Sequence, residues 1–401
     1  MSVFLLILST LLLLDLAWWL LGHRFLKNQR KWQLFNAIFI VCQLLAFGFL
    51  LGGRFLGIRW SLPTPVMSAI YLWHILILPI LLIVGVLALF YLAIRFLVSI
   101  KKTPAPPLPS EDETLNQTRR QFLITAAMVA PPLLNLAFTG YSQNQIKQFR
   151  VREMTLAIPD LPPALSGMTI CHITDLHAGP FTSERVIRRV VESVNNLQAD
   201  LVLFTGDLIN SRLSELPLGI EFIRSLEARH GVATVEGNHD LFEGRAAFEN
   251  GFRAAGLRLL VNDTETFRVR NHPVQILGLR WGGKGEKALA SGDHLIRSSL
   301  DELLEKRETD GSFPILLAHH PHTFDPAIEA GLPLTLSGHT HGGQLMINHH
   351  LGAGPLMFRY WSGLYQKQKS QLIVGNGVGN WFPLRTASPA EVTHLILRRA
   401  T

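Results

Sequence analysis

The stretch ICHITDLH (170–177) decides how the second half of this chain is read. It starts as an apolar strand-like run and ends abruptly in Asp175 and His177. The pattern returns in LVLFTGDLIN (201–210), VATVEGNHD (232–240), PILLAHHP (314–321) and LTLSGHTHGG (334–343). VQILGLR (274–280) and QLIVGNG (371–377) are further apolar runs bounded by glycine, and SERVIRRVVESVNNL (183–197) and LPLGIEFIRSLEAR (216–229) have helical texture. Nearly continuous apolar strands predict sheets covered on both faces. Their alternation with helices at βαβ spacing predicts an α/β fold with mixed sheets over residues 150–401. In such folds ligands gather at the carboxyl edges of strands, so five separate segments are expected to bring their polar tips to one crevice.

The first half is written for a different solvent. The chain has 401 residues with 48% hydrophobic and only 17% charged, at a mean hydropathy of +0.24. The apolar excess sits in residues 1–103, expected to form a transmembrane helical region of about three spans. Residues 2–21 and 34–53 have spanning length, and 66–99, around Pro79 and Gly85, reads as one extended helix. Trp18, Trp19, Trp60 and Trp73 lie near the segment ends, as interface aromatics do. Asp15 and His74 are isolated polar intrusions, read as local hydrogen-bond partners or interface residues. Residues 104–118 form a Pro-rich acidic linker. Residues 119–141 are a fourth hydrophobic segment behind Arg119 and Arg120, either a further span or a twin-arginine export address.

Of the formal net charge of +7, residues 1–103 carry +8, with nine Lys/Arg against the one acid Asp15, and the rest carries −1. A near-neutral second half argues against nucleic acid as a partner. The basic residues flank apolar segments instead. Four of them lie in HRFLKNQRK (23–31) and two in 54–65, which places the first loop in the cytoplasm. If 119–141 crosses, the C-terminal domain faces outward; if it lies flat, that domain is cytoplasmic. The outward arrangement is favoured, in a multi-pass protein of a bacterial inner membrane. The two cysteines, Cys42 and Cys171, provide no disulfide framework and no zinc-type spacing.

Asp, Asn and His side chains together suit manganese, iron or zinc. A carboxylate shared by two such cations holds them close enough to activate one water and to neutralise a phosphoryl group. Asp175-Leu176-His177, Gly206-Asp207, Gly237-Asn238-His239-Asp240, His319 and Gly338-His339-Thr340-His341 together match, in order, the motif set of the calcineurin-like metallophosphoesterase superfamily. GHTHGGQ (338–344), WSGLY (361–365) and NWFPLR (380–385) are similar to its membrane-associated branch, which includes transmembrane phosphoesterases and the UDP-2,3-diacylglucosamine pyrophosphatases of lipid A synthesis.

The resemblance implies a four-layer αββα sandwich and two divalent metal ions. Asp175, His177 and His341 would hold one metal, and Asn238, His319 and His339 the other, with Asp207 bridging. The superfamily pattern sets the ligand two residues before a proline, so Pro321 selects His319 over His320 and His322. His239 would be no ligand but a proton donor beside the phosphate, with Asp240 orienting its imidazole. His320 is expected at the rim and Arg385 at a substrate phosphate, where Asn210 is a further candidate contact. The activity implied is hydrolysis of a phosphodiester or pyrophosphate by metal-bound hydroxide. The substrate implied is phosphorylated and lipid-linked, such as UDP-2,3-diacylglucosamine. An outward-facing domain would need another lipid, polymer or nucleotide. A catalytically silent membrane sensor or scaffold is the alternative of another class, and its signature, a lost motif residue, is missing from the sequence.

Overall fold

The computed structural model describes residues 2–55, 62–99, 113–282, 293–308 and 311–400. Trp60, Lys101, Lys102 and linker positions 104–112 lie outside the described residues. The chain divides into two compact units, Met1–Gln143 and Asn144–Thr401.

The first unit is helical because its runs are too apolar to leave backbone polar groups unpaired in lipid. Its helices are α1 (Ser2–Phe25), α2 (Arg30–Phe55), α3 (Thr64–Tyr71), α4 (Leu78–Ser99) and most of α5 (Glu113–Ile146). A π-helical turn, Leu72–Ile77, joins α3 to α4, so the third segment is one continuous helical rod as the sequence predicts. Among the described residues, four segments are long and apolar enough to cross a membrane: Leu6–Phe25, Arg30–Gly52, Thr64–Leu97 and Gln117–Ile146.

Two expectations need correction here. Residues 113–118, expected in the linker, are the first turns of α5; the last linker proline is Pro109, so nothing breaks a helix beyond it. Asp15 and His74 are not isolated. Asp15 is fully buried, accepting from Trp73 Nε1 at 2.8 Å and lying 3.0 Å from His74 Nε2. The π turn carries both Trp73 and His74, and a 59-residue separation hid the pairing from sequence reasoning.

The second unit is built on thirteen strands: β1 (Phe149–Ile158), β2 (Thr169–Ile173), β3 (Leu201–Thr205), β4 (Gly231–Val235), β5 (Asp263–Val269), β6 (His272–Gly278), β7 (Phe313–Leu317), β8 (Leu334–Ser337), β9 (Met346–Asn348), β10 (Leu351–Gly352), β11 (Gly363–Lys367), β12 (Ser370–Val374) and β13 (Ala390–Arg399). One sheet has the order β1-β13-β2-β3-β4 and the other β11-β12-β8-β7-β6-β5, with β9 and β10 a separate hairpin. β2, β3 and β4 run parallel, as do β6, β7, β8 and β12, while β13 and β5 are antiparallel to β2 and β6.

Successive strand side chains point to opposite faces, and both faces are apolar. Ile170, Leu203 and Val235 point to the other sheet, where they meet Ile276, Ile315, Leu317 and Leu336 in one buried cluster. Cys171, Ile173, Val202 and Phe204 point outward, onto α6 (Glu184–Asn196), α7 (Leu216–Arg224) and α8 (Arg245–Ala254). Leu277 and Leu316 of the second sheet are covered by α9 (Asp293–Leu304) and α10 (Phe324–Glu329). The result is the expected four-layer αββα sandwich, in which every strand of the motif set ends at the same side.

Candidate metal centre

Asp175, His177, Asp207, Asn238, His319, His339 and His341 each follow the carboxyl end of β2, β3, β4, β7 or β8 by two to four residues. The loops are tied to one another through the backbone. Asp175 N donates to Gly206 O (3.0 Å) and Gly338 N to His319 O (3.1 Å). His339 N donates to both carboxylate oxygens of Asp175, at 3.1 and 3.0 Å. Asp175, His177, Asp207, His339 and His341 all have positive φ, between 46° and 73°. Such backbone costs energy in non-glycine residues and collects at functional sites. Gly338 is demanded by crowding, since a Cβ there would lie 1.9 Å from Thr174 Oγ1 and 2.3 Å from Asp175 Oδ2. Gly338→Ala is therefore expected to cost about 1–3 kcal/mol of stability, read as a lower melting temperature, and to lower metal content with it.

The polar tips fall into two overlapping groups. The ligand atoms of Asp175, His177 and His341 lie within 4.8 Å of one another, as do those of Asp207, His319 and His339. Asp207 Oδ2 is 3.5 Å from His177 Nε2 and 3.1 Å from His319 Nε2, so it reaches both groups. Asn238 Oδ1 lies 2.9 Å from His339 Nδ1, on the second group's side. His177, Asp207 and His239 form a third set within the same reach.

The donors fit divalent cations. His319 Nδ1 donates to Thr205 O (2.6 Å), which turns the buried Nε2 toward Asp207 Oδ2, 3.1 Å away. The Nε2 atoms of His177 and His341 face each other at 2.9 Å, a closeness that a shared cation would satisfy. Oxygen and imidazole donors without a thiolate suit manganese, iron or zinc.

Electrostatics keeps most of these imidazoles in their ligating form. Burial pushes the pKa of His177 and of His339 down to about 3 and lowers that of His341. Burial opposes the ionisation of Asp175, yet His341, His177 and His319 hold its carboxyl well below the ordinary value. His319 is the exception: burial disfavours its cation, but Asp207 and Asp175 outweigh it and raise the pKa to about 9. Without metal, the His319 imidazolium balances the paired carboxylates, and a cation there would displace its proton.

The expected supporting residues are placed differently from the sequence reading in three cases. Asp240 does not hold the His239 ring. Its carboxylate accepts from the amides of Asp207, Leu208, Ile209 and Gly237 at 2.8–3.0 Å, and burial, then Asp207, pushes its pKa up to about 8. It shapes the turn that presents Asp207. His239 Nδ1 instead pairs with the carbonyl of Asn210, whose loop is fixed by Glu215 accepting three successive amides at 2.8–3.0 Å. His320 is no rim residue but is buried, 5.0 Å ring to ring from His339 and 5.5 Å from Trp281.

Arg385 is the third case. It is fully buried and meets no solvent-borne phosphate. Its guanidinium donates to Asn380 Oδ1 (2.9 Å) and to the carbonyls of Asn376, Ser388 and Gly379, and its Nη2 lies 3.1 Å from His341 Nδ1. It fixes the ring that presents Nε2 to the site. Groups that orient metal ligands are worth about 10–100-fold in affinity, so Arg385→Gln is expected to weaken metal binding by that factor in a calorimetric titration. Arg385→Lys will rescue little, because an ammonium lacks the planar fork.

Sequence reasoning had no signal for Thr205, whose carbonyl does the orienting of His319, or for the aromatic lip. Phe242 and Trp381, both partly exposed, stand 4.5 and 6.0 Å from the His239 ring.

This fold and site define a metallophosphoesterase domain. Residues 168–343 match the family model described as calcineurin-like phosphoesterase. The chain is similar to a transmembrane protein with metallophosphoesterase domain from Danio rerio, 28% identical over 305 residues, 72% of this chain. The match spans 64% of that relative's own length, slightly under two thirds. A metallophosphoesterase of Bacillus subtilis, YkuE, is 29% identical over 294 residues, 70% of this chain and 98% of its own. The UDP-2,3-diacylglucosamine pyrophosphatase LpxG of Chlamydia trachomatis is 23% identical over 318 residues, 67% of this chain and 95% of its own.

Proposed function

We propose that the protein is a membrane-tethered phosphoesterase that uses two divalent cations to hydrolyse a phosphodiester or pyrophosphate bond in a lipid-linked nucleotide such as UDP-2,3-diacylglucosamine. The observation that carries this reading is the pair of donor groups, Asp175/His177/His341 and Asp207/His319/His339, with Asp207 in reach of both. Bound there, the cations supply an activated water and neutralise the phosphoryl oxygens.

The chain's own residues do the rest. Asn238 joins the His339 group, and Asp240 holds the Asp207 turn in place from below. His239, with Nδ1 hydrogen-bonded to Asn210 O, keeps Nε2 for proton exchange with the leaving oxygen. The buried ligands and the Phe242–Trp381 lip restrict bulk water around the phosphate, which strengthens every charge interaction there. Similarity to the Chlamydia pyrophosphatase supports the substrate class, and the apolar helices support a site held near lipid.

A second reading is supported by the length of Gln117–Ile146. A fourth span places the domain outward, away from a cytoplasmic nucleotide, and the substrate is then another lipid phosphodiester. The test uses the full chain purified in detergent micelles. Turnover of bis-p-nitrophenyl phosphate and of UDP-2,3-diacylglucosamine is expected to vanish on chelation and return with manganese. Absence of turnover on every phosphodiester and pyrophosphate supplied, with metals bound, would leave the silent-scaffold reading standing. A reporter fused after Thr401 separates the two orientations.

A further inference from the structure

We propose that an apolar rim around the metal centre docks onto the lipid surface, so that the substrate is an amphiphile whose phosphoester enters the site while its tail stays in lipid. This deepens the phosphoesterase reading and rests on it for the substrate, though not for the docking.

The rim has two sides. On one, the hairpin of β9 and β10 runs into α11 (Ala353–Met357), forming a flap directly after the GHTHGG turn. Its base is pressed onto that turn: a Cβ on Gly343 would meet Gly354 N at 2.4 Å, and Gly354 N donates to Met346 Sδ at 3.4 Å. The flap returns at Phe358, whose ring is 5.8 Å from that of His339. From this base Ile347, Leu351, Leu356 and Met357 project 52–81% exposed. No acid occurs between Met346 and Phe358. On the other side, Phe242 and Trp381 border His239.

Among the described residues of the second unit, eight large apolar side chains are exposed, and six of them are these. Exposed apolar side chains concentrated on two segments that border the site have no packing role in the domain and mark an interaction surface.

The connection to α5 identifies the occupant as lipid. That helix, of spanning length, ends at Ile146, and β1 begins at Phe149. The carbonyl of Ile146 accepts from Asn380 Nδ2 at 3.2 Å, and Asn380 immediately precedes Trp381. Trp381 thus follows a residue bonded to the segment that leads out of α5. Only two residues, reaching about 7 Å when extended, separate the end of that helix from β1, so lipid is the occupant that the chain itself brings to hand. Aromatic residues with a polar edge favour that depth.

The test places the full chain in phosphatidylethanolamine/phosphatidylglycerol nanodiscs. Leu356→Cys, in a Cys42→Ser background, is labelled with an environment-sensitive fluorophore; Cys171 is fully buried and does not compete. Blue-shifted emission and protection from iodide are expected, against an aqueous signal from Arg188→Cys on α6. An aqueous, iodide-accessible Leu356→Cys label overturns the docking. In parallel, Ile347→Ser/Leu356→Ser is expected to lower kcat/KM about tenfold for a long-chain phosphodiester and under about twofold for its short-chain analogue, because only the former loses apolar burial. Equal losses overturn the tail claim. If the unaltered chain hydrolyses neither, the phosphoesterase reading fails, and the label still decides the docking.

Discussion

Asp207→Asn is expected to lower turnover by about 10³-fold or more while the protein stays folded. Asparagine keeps the shape and an oxygen to accept the His239 amide, which donates to Asp207 Oδ1 at 2.8 Å. What it removes is the negative charge standing within 3.1–3.5 Å of both His319 and His177. A neutral amide oxygen would be a poor ligand for two divalent cations, so the residues of both groups would hold them more weakly. The measurement is metal stoichiometry by mass spectrometry beside kcat on bis-p-nitrophenyl phosphate. Two retained metals with turnover within tenfold of the unaltered chain would overturn the bridging role. Ala at the same place is a worse test, because it also strips the His239 amide of its acceptor and loosens the residue the second prediction concerns.

How much of this was legible before the structure depends on whether a feature is local. β2, β3, β4, β7 and β8 are readable because each is a short apolar run ended by glycine, acid or histidine, and alternation along each strand distributes it between two cores. The ligand set was readable because strand ends in such sheets converge. Arg385 was misassigned for a different reason: nothing in NWFPLR distinguishes a guanidinium that meets solvent from one that folds back on His341, which lies 44 positions earlier. Asp240 was misassigned because its neighbour in sequence, His239, was the obvious partner, whereas its four amide donors come from the turns at Gly237 and Asp207–Ile209. The left-handed backbone at Asp175, His177, Asp207, His339 and His341 carries only a weak signature: Asp and His enter that region more readily than most residues but usually do not.

His239→Ala is expected to lower kcat about 10²–10⁴-fold on a substrate with a poor leaving group, as loss of a general acid does, and to leave metal content unchanged. Both halves matter, because His239 lies in one ligand-distance set with His177 and Asp207. If it holds a cation, its removal drains metal. If it delivers a proton, metal stays and the defect scales with the leaving group. The Nδ1 bond to Asn210 O leaves Nε2 open to either role, and the half-exposed Phe242 and Trp381 beside the ring favour proton delivery. A p-nitrophenolate leaves without help near neutral pH, so bis-p-nitrophenyl phosphate should lose far less rate than an alkyl diester. Equal losses on the two substrates, or a metal deficit matching the lost activity, would make His239 a ligand and return the search for the acid to the lip itself.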